Sequence, residues 1–529
     1  MQTGTCSNPI SAPTFWGLVT ERTALTPDAP MLLSQTGTSM SFGEYAAKAT
    51  SLAAWLAEQG VRQGSRVTWQ LPTTVQSAVL IAALARIGAQ QNPIIHLYRE
   101  HEVRQILSQN HPHFLIVAQP TSEGAEARDF TAVAETVSQT LTPAPRVITL
   151  PPALPAGDPD LLDDAPLQGD LAAWVFYTSG TTAAPKGALH TDVSVMAAGR
   201  GLATSYQFSS EDVGTIAYPI AHIGGPMYLS MLMASGGSAL LMDRFSPTDA
   251  IDLFARYKVT VSGGSTAHYL GFLNEQAKHP GQRLYPRLRL LGGGGSPKPP
   301  EVYTRAKVEL GTTICHSYGM TECPALTIAP VTSTDEQLAH ADGIPRDDLQ
   351  VRIVDRDGVI MPAGREGEIR VRGTGIFLGY ADSSLNIDAF DADGFYRTGD
   401  LGLLRKDGYL SVTGRLKDII IRKGENVSAK EIEDLLCAHP KISDAAVIGL
   451  PDADRGERIC AVVELRHGAD TFEFSEMVSH FKAVGVMQQK IPEQLEIMKG
   501  LPRNDTFNKI LKNELRERFA QAPWSTAKQ

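Results

Sequence analysis

Residues 177–187 read Tyr177-Thr178-Ser179-Gly180-Thr181-Thr182-Ala183-Ala184-Pro185-Lys186-Gly187. Thr178, Ser179, Thr181 and Thr182 carry aliphatic hydroxyls, with Gly180 among them, and Lys186 places an ammonium near the end of the loop. Backbone N–H groups, hydroxyls and a lysine are the donors that a polyphosphate requires. The bland alternative is a Ser/Thr-rich surface turn. Against it stands the segment that feeds the loop: Leu171–Tyr177 is a short apolar run of bulky residues, as in a buried strand. The loop is not of the Walker type, which needs Gly-Lys-Ser/Thr after four intervening residues. Here Gly180 and four further residues lead to Pro185-Lys186-Gly187, so kinase and GTPase chemistry drops away.

Upstream, strands alternate with helices. Ser51–Gln59 reads as an amphipathic helix ending at Gly60, Arg66–Leu71 as a strand, Val75–Arg86 as an apolar helix and Gly88–Ile95 as an extended run. This alternation predicts an α/β protein with a mostly parallel sheet covered on both faces. Pro143–Pro166, rich in Pro and Asp, reads as a surface connection. Downstream, Ile251–Val261 and Ala267–Glu275 read as helix or strand elements of a second α/β layer. Val351–Asp355 and Glu368–Arg372 alternate like strands of a small β-rich subdomain. Past Gly414–Lys417, the charged helix Ala429–Leu436 and the strands Ala445–Leu450 and Ile459–Leu465 suggest a separate α+β domain of about 110 residues.

Composition narrows the function classes. The 529 residues are 43% hydrophobic and 20% charged, with 48 basic and 58 acidic side chains and a net charge of −10. Such a balance is globular and lacks the clustered Lys and Arg of a nucleic-acid footprint. Val213–Met242 holds no charged side chain, but Pro219, Gly224, Gly225, Pro226, Gly236 and Gly237 interrupt it, so strand, loop and helix are expected rather than a membrane span. The five cysteines, Cys6, Cys315, Cys323, Cys437 and Cys460, form no CxxC, and Met1–Pro13 lacks a basic stretch before an apolar one. A reducing cytoplasm is the expected location, with neither disulfide framework nor zinc site.

The 177–187 loop resembles the phosphate-binding signature of the adenylate-forming superfamily of acyl-CoA synthetases, aryl-CoA ligases, luciferases and peptide-synthetase adenylation domains. Seven further motifs follow in the family's order: Pro219–Gly225, Gly292–Pro297, Tyr318–Glu322, Gly367–Gly373, Tyr396–Asp400, Gly414–Lys417 and Pro502–Lys509. The resemblance implies a large N-terminal domain (1–414) of two parallel-type α/β sheets plus a small β-rich subdomain. A hinge (415–418, with Lys417) and a small mobile α+β domain (419–529) would follow. It also implies the chemistry: a carboxylate attacks the α-phosphorus of ATP to give acyl-AMP and pyrophosphate, and a thiol, usually that of CoA, then displaces AMP. A reaction that brings anions together needs cations and donors where charge develops.

By that resemblance, Thr178, Ser179, Gly180, Thr181, Thr182 and Lys186 cradle the phosphates, Glu322 is the Mg²⁺ carboxylate and Thr321 reaches the α-phosphate. Asp400 takes the ribose hydroxyls with Arg415. The adenine lies between Gly295-Ser296-Pro297 and His316-Ser317-Tyr318, continuing into Gly319 and Met320, with Tyr318 as a flat face. Lys509 is the catalytic lysine, and Lys423 and Gly424 belong to the thiol tunnel presented after domain rotation. Two positions depart from the family: Ala183 where Gly usually follows the threonines, and Asn508 where Gly usually precedes the lysine. If Ala183 sits at positive φ it strains the loop by about 1–2 kcal/mol; Asn tolerates such geometry better.

Ala221 stands where amino-acid-activating domains carry an Asp, so an amino-acid substrate is disfavoured. The acyl pocket is expected along His222, Ile223, Gly224, Gly225, Gly264, Ser265, Gly293 and Gly294, within the stretches His222–Gly225, Gly263–Ala267, Gly292–Gly295 and Tyr318–Met320, with His222 as a gate. Its many glycines suggest spare volume, favouring a medium-chain, alicyclic or aromatic acid over acetate. The 20 residues after Lys509 contain no carrier domain, which favours free CoA as acceptor. Two other readings stay open: a loader that passes acyl-AMP to a carrier protein, and a non-catalytic nucleotide-binding module. No nucleic-acid partner and no integral membrane segment are expected, and a homodimer is left open.

Overall fold

The computed structural model describes residues 11–119, 130–178, 185–422, 425–452, 455–466, 468–469, 471–503 and 510–520. The first sheet has seven strands, in the order Gly379–Tyr380, Lys186–Thr191, Ala172–Thr178, Gln90–Pro93, Arg66–Gln70, Phe114–Ala118, Arg146–Leu150. From Ala172–Thr178 to Arg146–Leu150 the neighbours are parallel, and Lys186–Thr191 and Gly379–Tyr380 add an antiparallel edge. The crossover helix Val75–Ile87 is apolar around most of its circumference and buried from Ser77 to Leu84, and for that reason it packs between layers. Thr74 accepts the Ser77 N–H at its start, and Gly88, at φ +79°, closes it in the left-handed conformation.

Two expectations need correction here. The helix read from Ser51 begins at Phe42, where Ser41 and Glu44 form a capping box. Within the supposed connection 143–166, Arg146–Leu150 is a strand pairing parallel with Phe114–Ala118. The prolines on either side concealed a run of alternating burial.

The charge-free stretch resolves into strand Val213–Ile216, helix Gly224–Ser235 and strand Ser238–Leu241, all largely buried. No helix among the described residues is long and apolar enough to cross a membrane. Both strands join Pro30–Ser34 and Ser39–Ser41 in a four-stranded sheet. The N-terminal strands thus leave the first layer, a long-range choice that local periodicity does not reveal. A five-stranded sheet, Val261–Gly264, Leu290–Gly294, Thr313–Met320, Cys323–Ile328, Ile344–Pro345, continues this layer. The two meet where Thr260 N donates to Val213 O at 2.9 Å and the Thr215 and Ser262 hydroxyls lie 2.8 Å apart. Leu349–Val354, Gly367–Gly373, Tyr396–Leu404 and Leu410–Arg415 form the antiparallel β-rich unit.

Beyond the short turn Leu416–Asp418 lies a separate α+β body. Strands Ile419–Arg422, Glu425–Ser428, Ile442–Asp452, Gly456–Leu465 and Gln494–Met498 carry helices Ala429–Cys437, Phe474–Val484 and Lys512–Ala520. Alternation along Ile442–Asp452 buries both faces: Ala445 and Val447 meet Ile432, Leu436 and Phe481, while Ala446, Ile448 and Leu450 meet Leu515 and Phe519.

Candidate active site

In the antiparallel pair Thr313–Met320 and Cys323–Ile328, Met320 faces Cys323, which leaves Thr321 and Glu322 at the hairpin tip. The tip is held from the edge of the first sheet. Tyr380 Oη donates to Glu322 Oε1 at 2.7 Å, and Phe377 N donates to the Glu322 carbonyl at 2.8 Å. His190 Nε2 lies 2.7 Å from the Thr321 carbonyl. A carbonyl only accepts, so Nε2 carries the proton and Nδ1 of the neutral ring accepts from Ser194 Oγ at 2.9 Å. Burial keeps His190 neutral, lowering its pKa to about 4.

Thr178 and Lys186 are register partners at the open end of their strand pair. Lys186 Nζ sits 5.2 Å from the Tyr380 ring centroid. Ser179, Gly180, Thr181, Thr182 and Ala183 lie outside the described residues, as do Lys423, Gly424, Asn508 and Lys509.

Asp400 and Arg415 face each other across neighbouring strands, and Arg415 Nε is 2.7 Å from Asp400 Oδ1. Tyr318 Oη donates to Asp400 Oδ2 at 2.7 Å. Asp400 is buried, at 2% exposure, and its charge is met from both sides. Burial, then the Asp400 charge, raises the Tyr318 phenol well above its ordinary value, so it stays a donor. Burial alone would lower the Arg415 guanidinium, but Asp400 leaves it raised overall. Each carboxylate oxygen keeps lone-pair capacity, so the group can still accept vicinal hydroxyls.

Tyr318, Asp400 and Arg415 wall a cleft of about 500 Å³ between the two bodies; Thr178, Lys186, Thr321 and Glu322 are not part of its lining. From the large body, Gly295, Ser296, Pro297, His316, Ser317, Tyr318, Gly319, Asp400 and Arg415 line it, and Lys417 in the connecting turn does too. From the C-terminal body come Arg503, Ile510 and Lys512. Arg503 and Ile510 are bridged antiparallel and both line this cleft.

The expected acyl side is built differently from the sequence reading. A Cβ on Gly292 would lie 2.6 Å from the Tyr206 ring, one on Gly264 2.9 Å from His268, and one on Gly224 3.1 Å from Tyr218. A Cβ on Gly225, Gly293 or Gly294 would lie within 2.2 Å of the backbone carbonyl oxygen of Ile220, Gly264 or Ser317 respectively. The glycines admit the protein's own rings and strands, so spare substrate volume does not follow from them; this corrects the inference drawn from composition. Ser265 Oγ lies 3.1 Å from His268 Nδ1. His222 Nδ1 accepts from Gly224 N at 3.4 Å, and burial lowers its pKa to about 3. Ile223, His222 and Thr321 border a second cavity of about 20 Å³, room for about one water.

Sequence reasoning missed Tyr380, His190 and Lys298. Lys298 is buried beside the cleft, donates to Ala339 O at 2.8 Å, and has its pKa lowered to about 8 by burial. None of the three stands in a motif with a local chemical signature; contacts across elements single them out.

Fold and site together define an adenylate-forming α/β enzyme. The chain belongs to the AMP-binding enzyme family, which it matches over residues 19–381, with the AMP-binding enzyme C-terminal domain matched over 431–508. It is an acid–thiol ligase of the AMP-forming kind. The medium-chain fatty-acid–CoA ligase of Escherichia coli K12 is 30% identical over 507 residues, covering 93% of this chain and 88% of that one. The salicyl-AMP ligase / salicyl-S-ArCP synthetase of Mycobacterium tuberculosis is 32% identical, covering 88% and 82%. The crystal structure of ATP-bound MatB from Rhodopseudomonas palustris superposes with a TM-score of 0.84 at 27% identity, covering 97% and 99%.

Proposed function

We propose that this enzyme is an ATP-dependent carboxylic acid–CoA ligase. A carboxylate oxygen bonds to the α-phosphorus of ATP as the bond to pyrophosphate breaks; the CoA sulfur then takes the acyl group and AMP leaves. One observation carries the reading: the cleft joins Ser296, Tyr318, Asp400 and Arg415 to Arg503 and Ile510, which flank Lys509.

On this reading Asp400 and Arg415 receive the ribose. Tyr318 offers its face to the adenine, together with Gly295, Ser296, Pro297, His316, Ser317 and Gly319. Thr178 and Lys186, with 179–182, receive the β- and γ-phosphates, and Met320 and Thr321 lie toward the α-phosphate. Glu322 fits a hard cation: Oε1 is tied to Tyr380, and Oε2 accepts no hydrogen bond from the described residues. Bound there, Mg²⁺ would neutralise phosphate charge. Lys509 would neutralise the approaching anions, Lys417 act as hinge, and Lys423 and Gly424 border the thiol path. A neutral His222 would separate nucleotide from acid.

The acid proposed is a medium-chain, alicyclic or aromatic one with an uncharged tail. The lining named for it, His222–Gly225, Gly264, Ser265, Gly293 and Gly294, contains no Lys or Arg. Burial holds His222 at about 3 and His268 at about 4, so neither supplies a cation for a second carboxylate or a sulfonate. The named activities of the Escherichia coli and Mycobacterium tuberculosis relatives, on a fatty acid and on salicylate, agree with this class. The second relative also supports the alternative of loading a carrier protein.

The test is AMP and pyrophosphate release from Mg-ATP, with and without CoA, across acetate, octanoate, cyclohexanecarboxylate, benzoate, cinnamates, malonate and sulfoacetate. CoA-dependent AMP release with the uncharged-tail acids is expected. Preference for malonate or sulfoacetate overturns the substrate class. Pyrophosphate release that CoA does not carry to thioester replaces the ligase with a carrier loader.

A further inference from the structure

The Glu322 tip and the Lys186 strand belong to different sheets, yet one side chain touches both. Tyr380 lies on the short edge strand Gly379–Tyr380, where it pairs with Ala188, two residues beyond Lys186. It is 6% exposed. Its N–H donates to Asn386 Oδ1 at 2.8 Å, and its ring stands edge-on to Phe377 at 5.0 Å, so the side chain has little freedom. Its hydroxyl meets Glu322 Oε1 at 2.7 Å and Tyr396 Oη at 3.3 Å. The carboxylate can only accept, so the Tyr380 proton is spent on Glu322 and Tyr396 donates in turn to Tyr380 Oη. The ring face meanwhile lies 5.2 Å from the Lys186 ammonium, within cation–π range.

We infer that Tyr380 is a positioning residue for adenylation: its hydroxyl fixes the Glu322 carboxylate while its ring seats Lys186, so cation-holding carboxylate and phosphate-facing ammonium keep one separation. This rests on the roles of Glu322 and Lys186 given under the proposed function. With Oε1 tethered, Oε2 is the oxygen presented to a cation. Without the tether the carboxylate samples other rotamers, and each productive encounter with metal-bound nucleotide requires it to reorder. A purely structural tyrosine would act through packing; Tyr380→Phe keeps ring, packing and cation–π contact and deletes the tether, together with the acceptor of the Tyr396 hydroxyl.

The experiment compares wild type, Tyr380→Phe, Tyr396→Phe, Glu322→Gln and the Tyr380→Phe/Glu322→Gln double variant. Mn²⁺ binding in the presence of α,β-methylene ATP, which cannot transfer AMP to the acid, is titrated by electron paramagnetic resonance; pyrophosphate release and Tm are measured alongside. Tyr380→Phe is expected to keep its Tm and the KM for the acid. Mn²⁺ affinity and kcat should each fall about tenfold to hundredfold, the range for losing one hydrogen bond to a charged group. Tyr396→Phe should shift both the same way by less, and it carries the test if Tyr380→Phe lowers Tm. The double variant should be no worse than Glu322→Gln. Wild-type Mn²⁺ affinity in Tyr380→Phe, or a double variant in which both losses multiply, overturns the inference while the Glu322 reading stands. A Glu322→Gln enzyme with wild-type Mn²⁺ affinity overturns that reading itself.

Discussion

At the scale of the residue, Asp400 shows why a buried charge can be both stable and useful. Its two oxygens are met by Arg415 at 2.7 Å and by the Tyr318 hydroxyl at 2.7 Å, so desolvation is compensated before any substrate arrives. Asp400→Ala leaves the guanidinium without its counter-ion and the phenol without its acceptor. The expected outcome is a rise of about tenfold to hundredfold in the KM for ATP, the effect of losing one hydrogen bond to a charged group. Tyr318→Phe keeps the stacking face and loses only the donor, so its KM should rise by less. Steady-state kinetics at saturating acid measures both, and a Tyr318→Phe effect as large as that of Asp400→Ala would contradict the smaller role given to the phenol donor.

At the scale of the element, the glycines of strand Leu290–Gly294 divide into two kinds. A Cβ on Gly294 would meet the Ser317 carbonyl at 2.1 Å, on the neighbouring strand. Backbone cannot rotate away, so Gly294→Ala should destabilise the sheet by about 1–3 kcal/mol, as overpacking does, visible as a lower Tm. A Cβ on Gly292 would instead meet the Tyr206 ring, a side chain whose hydroxyl contacts, 3.3 Å to Cys315 O and 3.4 Å to Ser317 Oγ, are long enough to let it shift. Gly292→Ala should therefore leave Tm nearer wild type. Tyr206→Ala should vacate the space the ring fills and move acid preference toward bulkier substrates. The carboxylate panel reads this directly, and an unchanged preference would remove Tyr206 from the acyl side.

At the scale of the whole molecule, the cleft between the two bodies is where the chemistry would alternate. Lys509→Ala should slow pyrophosphate release by about a hundredfold to a thousandfold, as loss of a charge-stabilising donor does, while sparing thioester formation from preformed acyl-AMP. Gly424→Trp should do the reverse, and single-turnover assays of the two halves separate them. Stability should also depend on pH across the entire large body. His190, His222, His268 and His316 have ordinary values of 6.5, lowered by burial to about 4, 3, 4 and 4. The unfolded chain takes up protons on these rings below about pH 6.5, whereas the native rings resist until near pH 4. Their stabilisation is complete above that upper limit and is lost as pH falls, each ring contributing up to about 1.4 kcal/mol per pH unit. Urea midpoints at pH 7, 6 and 5 should fall in that order; a flat profile would contradict neutral burial.

Much of this protein was legible along the chain because the relevant forces are local. The apolar run Leu171–Tyr177, the buried helix Val75–Ile87 and the alternation in Ile442–Asp452 follow from periodicity and burial, and the phosphate-type loop is a contiguous pattern of donors. Asp400 and Arg415 were legible as motif members, and the strand register then set them face to face. Other features were decided only by tertiary structure. The hairpin Pro30–Ser41 joined the second layer, prolines masked the strand Arg146–Leu150, and the glycines expected to leave volume were filled by Tyr206, Tyr218 and His268. His190 and Tyr380 acquired their contacts to Thr321 and Glu322 across 131 and 58 residues of sequence. The physical reason is common to all of these. Sequence pattern reports which face of an element avoids water, whereas the identity of the neighbour that covers it depends on how separate elements pack.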